Sequence, residues 1–229
     1  YIVTLRKAAI DEDTQEGWWD WWKANPTPDP YAIVEFSYLD LLFDKAYALR
    51  IGHILVPMGL TNLNHEPVAY LTSERPTVET LIIPSTWHTN GALIHGQIEK
   101  FEYYAGAVTS PDAGAFIEGR FIQLGRLGAR QFTDDFSGVV RGTCQLADNL
   151  DIGGSALYGK SSILNESKPG SSLQNGSVDI TLGMAEIHAT YSGYGFDLKT
   201  LATYGWLDGD LAALRTATGE EISSEVNGQ

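Results

Sequence analysis

The sequence predicts an all-β protein, specifically an antiparallel up-and-down transmembrane β-barrel, and three observations predict it. Short alternating segments are joined by tight turns at one end and by long polar loops at the other. Within the segments, apolar and polar residues separate with the period of two that places them on opposite faces of a strand. The polar parity carries full charges of both signs in mid-segment, as a water-filled interior requires.

Taken in order, a first strand is expected at 1–8. Segments 31–42 and 46–56 then meet at Phe43-Asp44-Lys45, and segments 92–98 and 101–109 meet at Glu99-Lys100. The pair 136–146 and 150–160 turns around Ala147-Asp148-Asn149, and 178–191 and 196–207 turn at Ser192-Gly193-Tyr194-Gly195. Long connections occupy 9–30, 57–91, 110–135, 161–177 and 208–229. Alternating short turns and long loops are the habit of an outer-membrane barrel.

Parity tests each segment. In 31–42 Val34, Phe36 and Tyr38 form the apolar side against Glu35 and Ser37; in 46–56 Tyr47, Leu49 and Ile51 oppose Arg50 and Gly52. Ala92, Ile94 and Ile98 oppose His95 and Gln97. Phe136, Val140, Cys144 and Leu146 oppose Ser137, Arg141, Thr143 and Gln145. Leu150, Ile152, Ala156 and Tyr158 oppose Asp151 and Ser155, and Ile187, Ala189 and Tyr191 oppose Glu186, His188 and Thr190. Phe196, Leu198, Ala202, Tyr204 and Trp206 oppose Asp197, Lys199 and Thr203. Val139, Leu157 and Leu201 break the pattern by sitting on the polar parity. A soluble sandwich with one wet face also alternates. The mid-strand charges and the aromatics near segment ends (Tyr158, Tyr191, Phe196, Tyr204, Trp206) favour a membrane.

Composition sets bounds. The 229 residues suit a single domain spanning 1–229, and no apolar run reaches the ~18 residues of a membrane helix. A net charge of −14 and a pI near 4.6 argue against nucleic acid, whose phosphates need clustered Lys and Arg. The lone Cys144 excludes an internal disulfide framework. The chain opens in what reads as a strand and closes on the polar run Ser223–Gln229, so a partial chain is expected.

A resemblance adds to this. The stretch Arg50-Ile-Gly-His-Ile-Leu-Val-Pro-Met-Gly-Leu60, with Asn64-His65-Glu66-Pro67, Glu74-Arg75-Pro76 and Ile82-Ile83-Pro84-Ser85-Thr86-Trp87, resembles a signature of Gram-negative porins. These are porins related to the phosphate-selective porin O and P family. Gly119-Arg120, Gly125-Arg126 and Gly128-Ala129-Arg130 resemble that family's Arg-rich loop. The similarity runs over about 31–207 and is specific by combination. It implies a homotrimer of barrels in the outer membrane, with about sixteen strands per barrel around an aqueous pore. About nine strands are countable here, so the barrel is expected to be incomplete as it stands. A nine-stranded open sheet in lipid would leave unpaired edges.

Competing constellations are weaker. Gly154–Ser161 matches a phosphate-loop pattern, but Ala156-Leu157-Tyr158 is strand-like and no helix fits before Pro169 and Gly170. No H-E-x-x-H occurs among the five histidines, so no metal and no cofactor is expected. Carboxylates such as Glu66, Glu74, Glu79, Glu99 and Glu102 could supply a glycosidase pair about 5 to 10 Å apart, which spacing in sequence does not establish. With the cluster Trp18-Trp19-Asp20-Trp21-Trp22-Lys23, this keeps a soluble secreted β-sandwich, carbohydrate-binding or glycoside-active, as the alternative. The same cluster reads as well as an interfacial anchor.

The expected function is passive diffusion of small hydrophilic solutes or ions through a water-filled channel, without catalysis. Partners are outer-membrane lipid and two further copies of the chain. Pore-lining candidates are Glu35, Arg50, His95, Arg141, Glu186, His188, Asp197 and Lys199. The loop 57–90 has about 34 residues, long enough to expect a role. It is expected to fold inward or across the mouth, with His65, Glu66, Glu74 and Arg75 tuning ion passage. Arg120, Arg126 and Arg130 would supply a basic funnel. The mixed signs give no strong ion preference.

Overall fold

The computed structural model describes residues 36–64, 75–84, 86–126, 135–163, 178, 180–218, 222 and 224–228. Among these the chain forms one sheet of nine antiparallel strands in sequence order. The strands are β1 (Ser37–Leu42), β2 (Ala48–Leu55), β3 (His88–Ile98), β4 (Phe101–Thr109), β5 (Phe136–Ala147), β6 (Leu150–Ser161), β7 (Ile180–Gly193), β8 (Phe196–Gly209) and β9 (Glu225–Gly228). Two short helices, α1 (Val78–Leu81) and α2 (Leu211–Thr218), lie in the long connections.

The up-and-down order follows from the turns. β7 and β8 close through Tyr194-Gly195, with φ of 53° and 80°, the two positive angles that a tight hairpin needs to match strand twist. Glu99, at φ 53°, opens the two-residue turn between β3 and β4. At the β1–β2 turn Asp44 Oδ1 accepts from the Ala46 amide at 2.8 Å. The described parts of the long connections leave the sheet at the opposite end.

The two faces differ in what covers them. One is bare: Leu39, Ile51, Ile94, Val140, Ile152, Ile187 and Leu198 stand exposed on it. The other is covered by the long loops, and the buried core lies between them. Register explains the core's position. Leu93, Gly106, Val139, Leu157, Met184 and Gly205 are successive cross-strand partners, and so are Val108, Ser137, Gly159, Leu182 and Leu207. These two rows, nearer the long-loop end, receive Val56, Met58, Ile83, Trp87, Phe116, Ile122 and Leu214 from the connections. Val139 and Leu157, exceptions to the polar parity in sequence, are there because loops dock on them.

Three expectations change. Tyr38 does not share a face with Leu49 and Ile51; it lies under the Arg50 guanidinium, 4.4 Å from its ring centroid, on the side of Asp40. Leu39 and Leu41 take the bare face instead. The long-loop half of the covered face is a dry apolar core and not a polar wall. The tail region 208–229, expected as loop, contains α2, started by Asp210 Oδ1 accepting from Ala213 N at 2.9 Å, and the edge strand β9. The phosphate-loop match Gly154–Ser161 is extended chain inside β6. The strand expected at 1–8 and the Trp18–Lys23 cluster lie outside the described residues.

Candidate functional site: a charged row under the loops

Two residues further toward the short turns, the covered face turns polar. His95, Tyr104, Arg141, Ser155, Glu186 and Thr203 are successive cross-strand partners, so a single row of hydrogen-bonding side chains crosses β3 to β8. The next row holds Glu102, Thr143, Gly153 and His188.

Two ion clusters are built around this row, one reaching back to Asp40 and Arg50 beside Leu93 and one reaching on to His188. On β1–β3, Arg50 Nη2 meets Asp40 Oδ2 at 2.6 Å, with Nε at 3.1 Å, and His95 Nε2 meets Asp40 Oδ1 at 2.8 Å. His95 stacks on Tyr104, with centroids 5.5 Å apart, and Tyr104 donates to Glu102 Oε1 at 3.0 Å. On β5–β7, Glu186 is fully buried. It accepts from Ser155 Oγ at 2.6 Å and sits 2.9 Å from His188 Nδ1 and 3.7 Å from Arg141 Nη1. Arg141 Nη2 lies 3.3 Å from His188 Nε2. A guanidinium only donates, so Nε2 must accept and Nδ1–H must donate to Glu186. Gly153 leaves the room: a Cβ there would meet His188 Nε2 at 2.5 Å.

The described part of the 57–90 loop lies on this face. Arg141 Nη1 donates to the Gly59 carbonyl at 2.5 Å, and Glu79, only 3 % exposed, accepts from the Leu60 and Thr61 amides at 2.5 and 2.7 Å. Gly59 has φ 76°, and a Cβ would stand 2.4 Å from Glu79 Oε1. Asn62 closes the loop on itself through Val56 O, Trp87 O and Trp87 N.

Burial pushes the Glu79 carboxyl above the usual carboxylate range, and the charge of Glu186 adds to this against the two amides. The sign follows. A carboxyl whose folded pKa is raised contributes stability that is complete below its unfolded pKa and is lost as pH rises through the folded one. Glu79→Gln, which keeps an oxygen for the two amides, is expected to remove that loss. Unfolding titrations from pH 4 to 8 should show the wild type falling more steeply, by at most about 1.4 kcal/mol per pH unit, the limit for one proton. Parallel curves would contradict it.

The expected site residues divide accordingly. Arg50, His95, Arg141, Glu186 and His188 are brought together on the covered face, within three neighbouring rows. Asp197 and Lys199 have the same parity but are exposed near the short-turn end, where Ser192 Oγ donates to Asp197 Oδ1 at 2.5 Å. Arg75 and Arg126 converge on Thr86 Oγ1, each at 3.4 Å, and burial together with the Arg75 charge lowers the pKa of Arg126. Arg120 is exposed. Glu35, His65, Glu66, Glu74 and Arg130 lie outside the described residues. Sequence reasoning missed Asp40 and Tyr104, placed Ser155 on the polar parity without a role, and weighed Glu79 only as a glycosidase carboxylate. Asp40, between Leu39 and Leu41, carried a readable signal; Glu79, in the single turn α1, carried none of its burial.

A curated relative, an uncharacterized protein of Aquifex aeolicus (strain VF5), is 32 % identical over 177 residues, which make up 75 % of this chain and 38 % of the relative. This chain thus spans well under half of the relative's length. No family model matches the sequence. No solved structure matches it.

Proposed function

We propose that the chain is part of an outer-membrane β-barrel of the porin type, which passes small hydrophilic solutes or ions by diffusion and performs no bond chemistry. One observation carries the reading. Over the half of the sheet nearer the short turns the distribution of polarity is inverted: large apolar side chains stand on the bare face, while Arg141, Glu186 and His188 are buried on the other. Water would penalise such a bare face, whereas lipid rewards it.

The spacing of aromatics fits. Phe196 and the stacked pair Tyr204 and Trp206 mark the two ends of the bare face of β8. They are eight to ten residues apart, or about 21–26 Å of height at the usual rise and tilt, close to the ~25 Å apolar band of outer-membrane barrels. The loop-borne core narrows the interior at one end, so a path for solute would run along the charged row. Closure needs strands beyond β1 and β9, and the relative's greater length leaves room for them. Assembly as a homotrimer belongs to the same proposal.

Purified protein added to a planar bilayer is expected to give stepwise conductance with weak ion selectivity, since the row pairs its charges. Absence of steps, with solubility in detergent-free buffer, would replace this reading by the soluble carbohydrate-binding one.

A further inference from the structure

We propose that Arg141 is a positioning residue, a latch that fixes how far the 56–64 segment of the long loop descends over the charged row. The argument rests on the way this segment is held. Its other ties are near its own base: Asn62 binds Val56 and Trp87, and Glu79 binds the Leu60 and Thr61 amides. The Asn62 bonds tie the segment to the end of the β2–β3 ladder, where Val56 N donates to Trp87 O, but they do not set where Gly59 lies over β5 to β7. Position over β5 to β7 comes from apolar contact, which has no direction, and from the bond of Arg141 Nη1 to the Gly59 carbonyl.

That bond is directional at both ends. Glu186 and His188 hold the guanidinium from behind, at 3.7 and 3.3 Å, and the Arg141 side chain is 9 % exposed. The positive φ of Gly59 fixes its place beside Glu79, where no Cβ would fit. Arg141 also stands two residues along β5 from Val139, at the step where the covered face changes from apolar to charged. A loop held at that step ends where the charged row begins. The inference about the solute path rests on the channel reading above; the inference about loop position does not.

The test is amide hydrogen exchange on the full chain folded in lipid or detergent. In Arg141→Met the Leu60 and Thr61 amides are expected to exchange about tenfold faster or more, the scale of a lost charged hydrogen bond. Amides in the middle of β6 and β7 are expected to change less. Arg141→Lys keeps a charge beside Glu186 with a shorter reach; it guards against failure of the Met variant to fold and is expected to show the same split. Arg50→Met, which disrupts the other ion cluster, controls for general loosening and should leave the loop-to-strand ratio as in the wild type. Equal acceleration of loop and strand amides, or none, overturns the latch. Where the wild type conducts, both Arg141 variants are also expected to change open-channel conductance or add flicker. A wild type that never conducts, with the exchange split intact, would retain the latch and remove the channel.

Discussion

Ile187→Arg is expected to destabilise the folded protein in a bilayer by about 2–4 kcal/mol, the cost of a cation at the lipid-facing midplane of a barrel. Ile187 lies in the middle of the fourteen-residue strand β7 and is 70 % exposed. Its cross-strand partners are Gly154 and Ala202, so little side-chain packing is lost when it is replaced. In a sheet facing water, such a change on an open surface stays within about 0.5 kcal/mol. The two environments therefore predict effects that differ several-fold for one substitution. Phe196→Arg, at the short-turn end of β8, supplies the depth control and is expected to cost only about 0–1 kcal/mol. Urea titrations of folding into lipid vesicles measure both. A flat profile, with Ile187→Arg as mild as Phe196→Arg, would mean that the bare face does not meet hydrocarbon.

The part of this architecture that was legible in the sequence is the part with strict periodicity. β5, β7 and β8 alternate over nearly their whole length, and their hairpins fell where the sequence placed them. β1 was misread because tyrosine has two characters. Tyr38 completes an apolar series with Phe36, yet its ring face also attracts a guanidinium, and Arg50 took it. The charge of Asp40 between two leucines was the better guide. The core drew on a source without period. Met58, Ile83, Phe116 and Ile122 come from irregular chain, where neither a period of two nor one of 3.6 exists to mark a buried side. The burial of Glu79 was hidden because α1 is a single turn, too short to show a period, and a glutamate there reads as solvated until the chain brings two amides to it. The start of α2 could have been read. Asp210 precedes Leu-Ala-Ala-Leu-Arg with Ala213 at the position that a capping carboxylate serves.

Glu186→Leu is expected to cost about 3–5 kcal/mol, because it removes one member of a buried charge pair and leaves the other. The variant would strip the acceptor from Ser155 and from His188 Nδ1–H, and would leave the Arg141 guanidinium, whose Nε already lacks a partner, with Gly59 O and His188 Nε2. Glu186→Gln keeps an oxygen for Ser155 and should cost less, about 1–3 kcal/mol. The informative variant is the double one. One row away the partners are Leu157 and Met184, so Glu186→Leu with Arg141→Met would extend an apolar surface that already exists. Replacing a buried pair by apolar groups is often neutral, so the double variant should regain most of the stability that Glu186→Leu loses. Denaturant midpoints of the four proteins close the cycle. Additive losses would mean that the pair is solvated and uncoupled. Recovery of stability together with a changed reversal potential would mean that these charges are costly to the fold and are kept for the solute path they border.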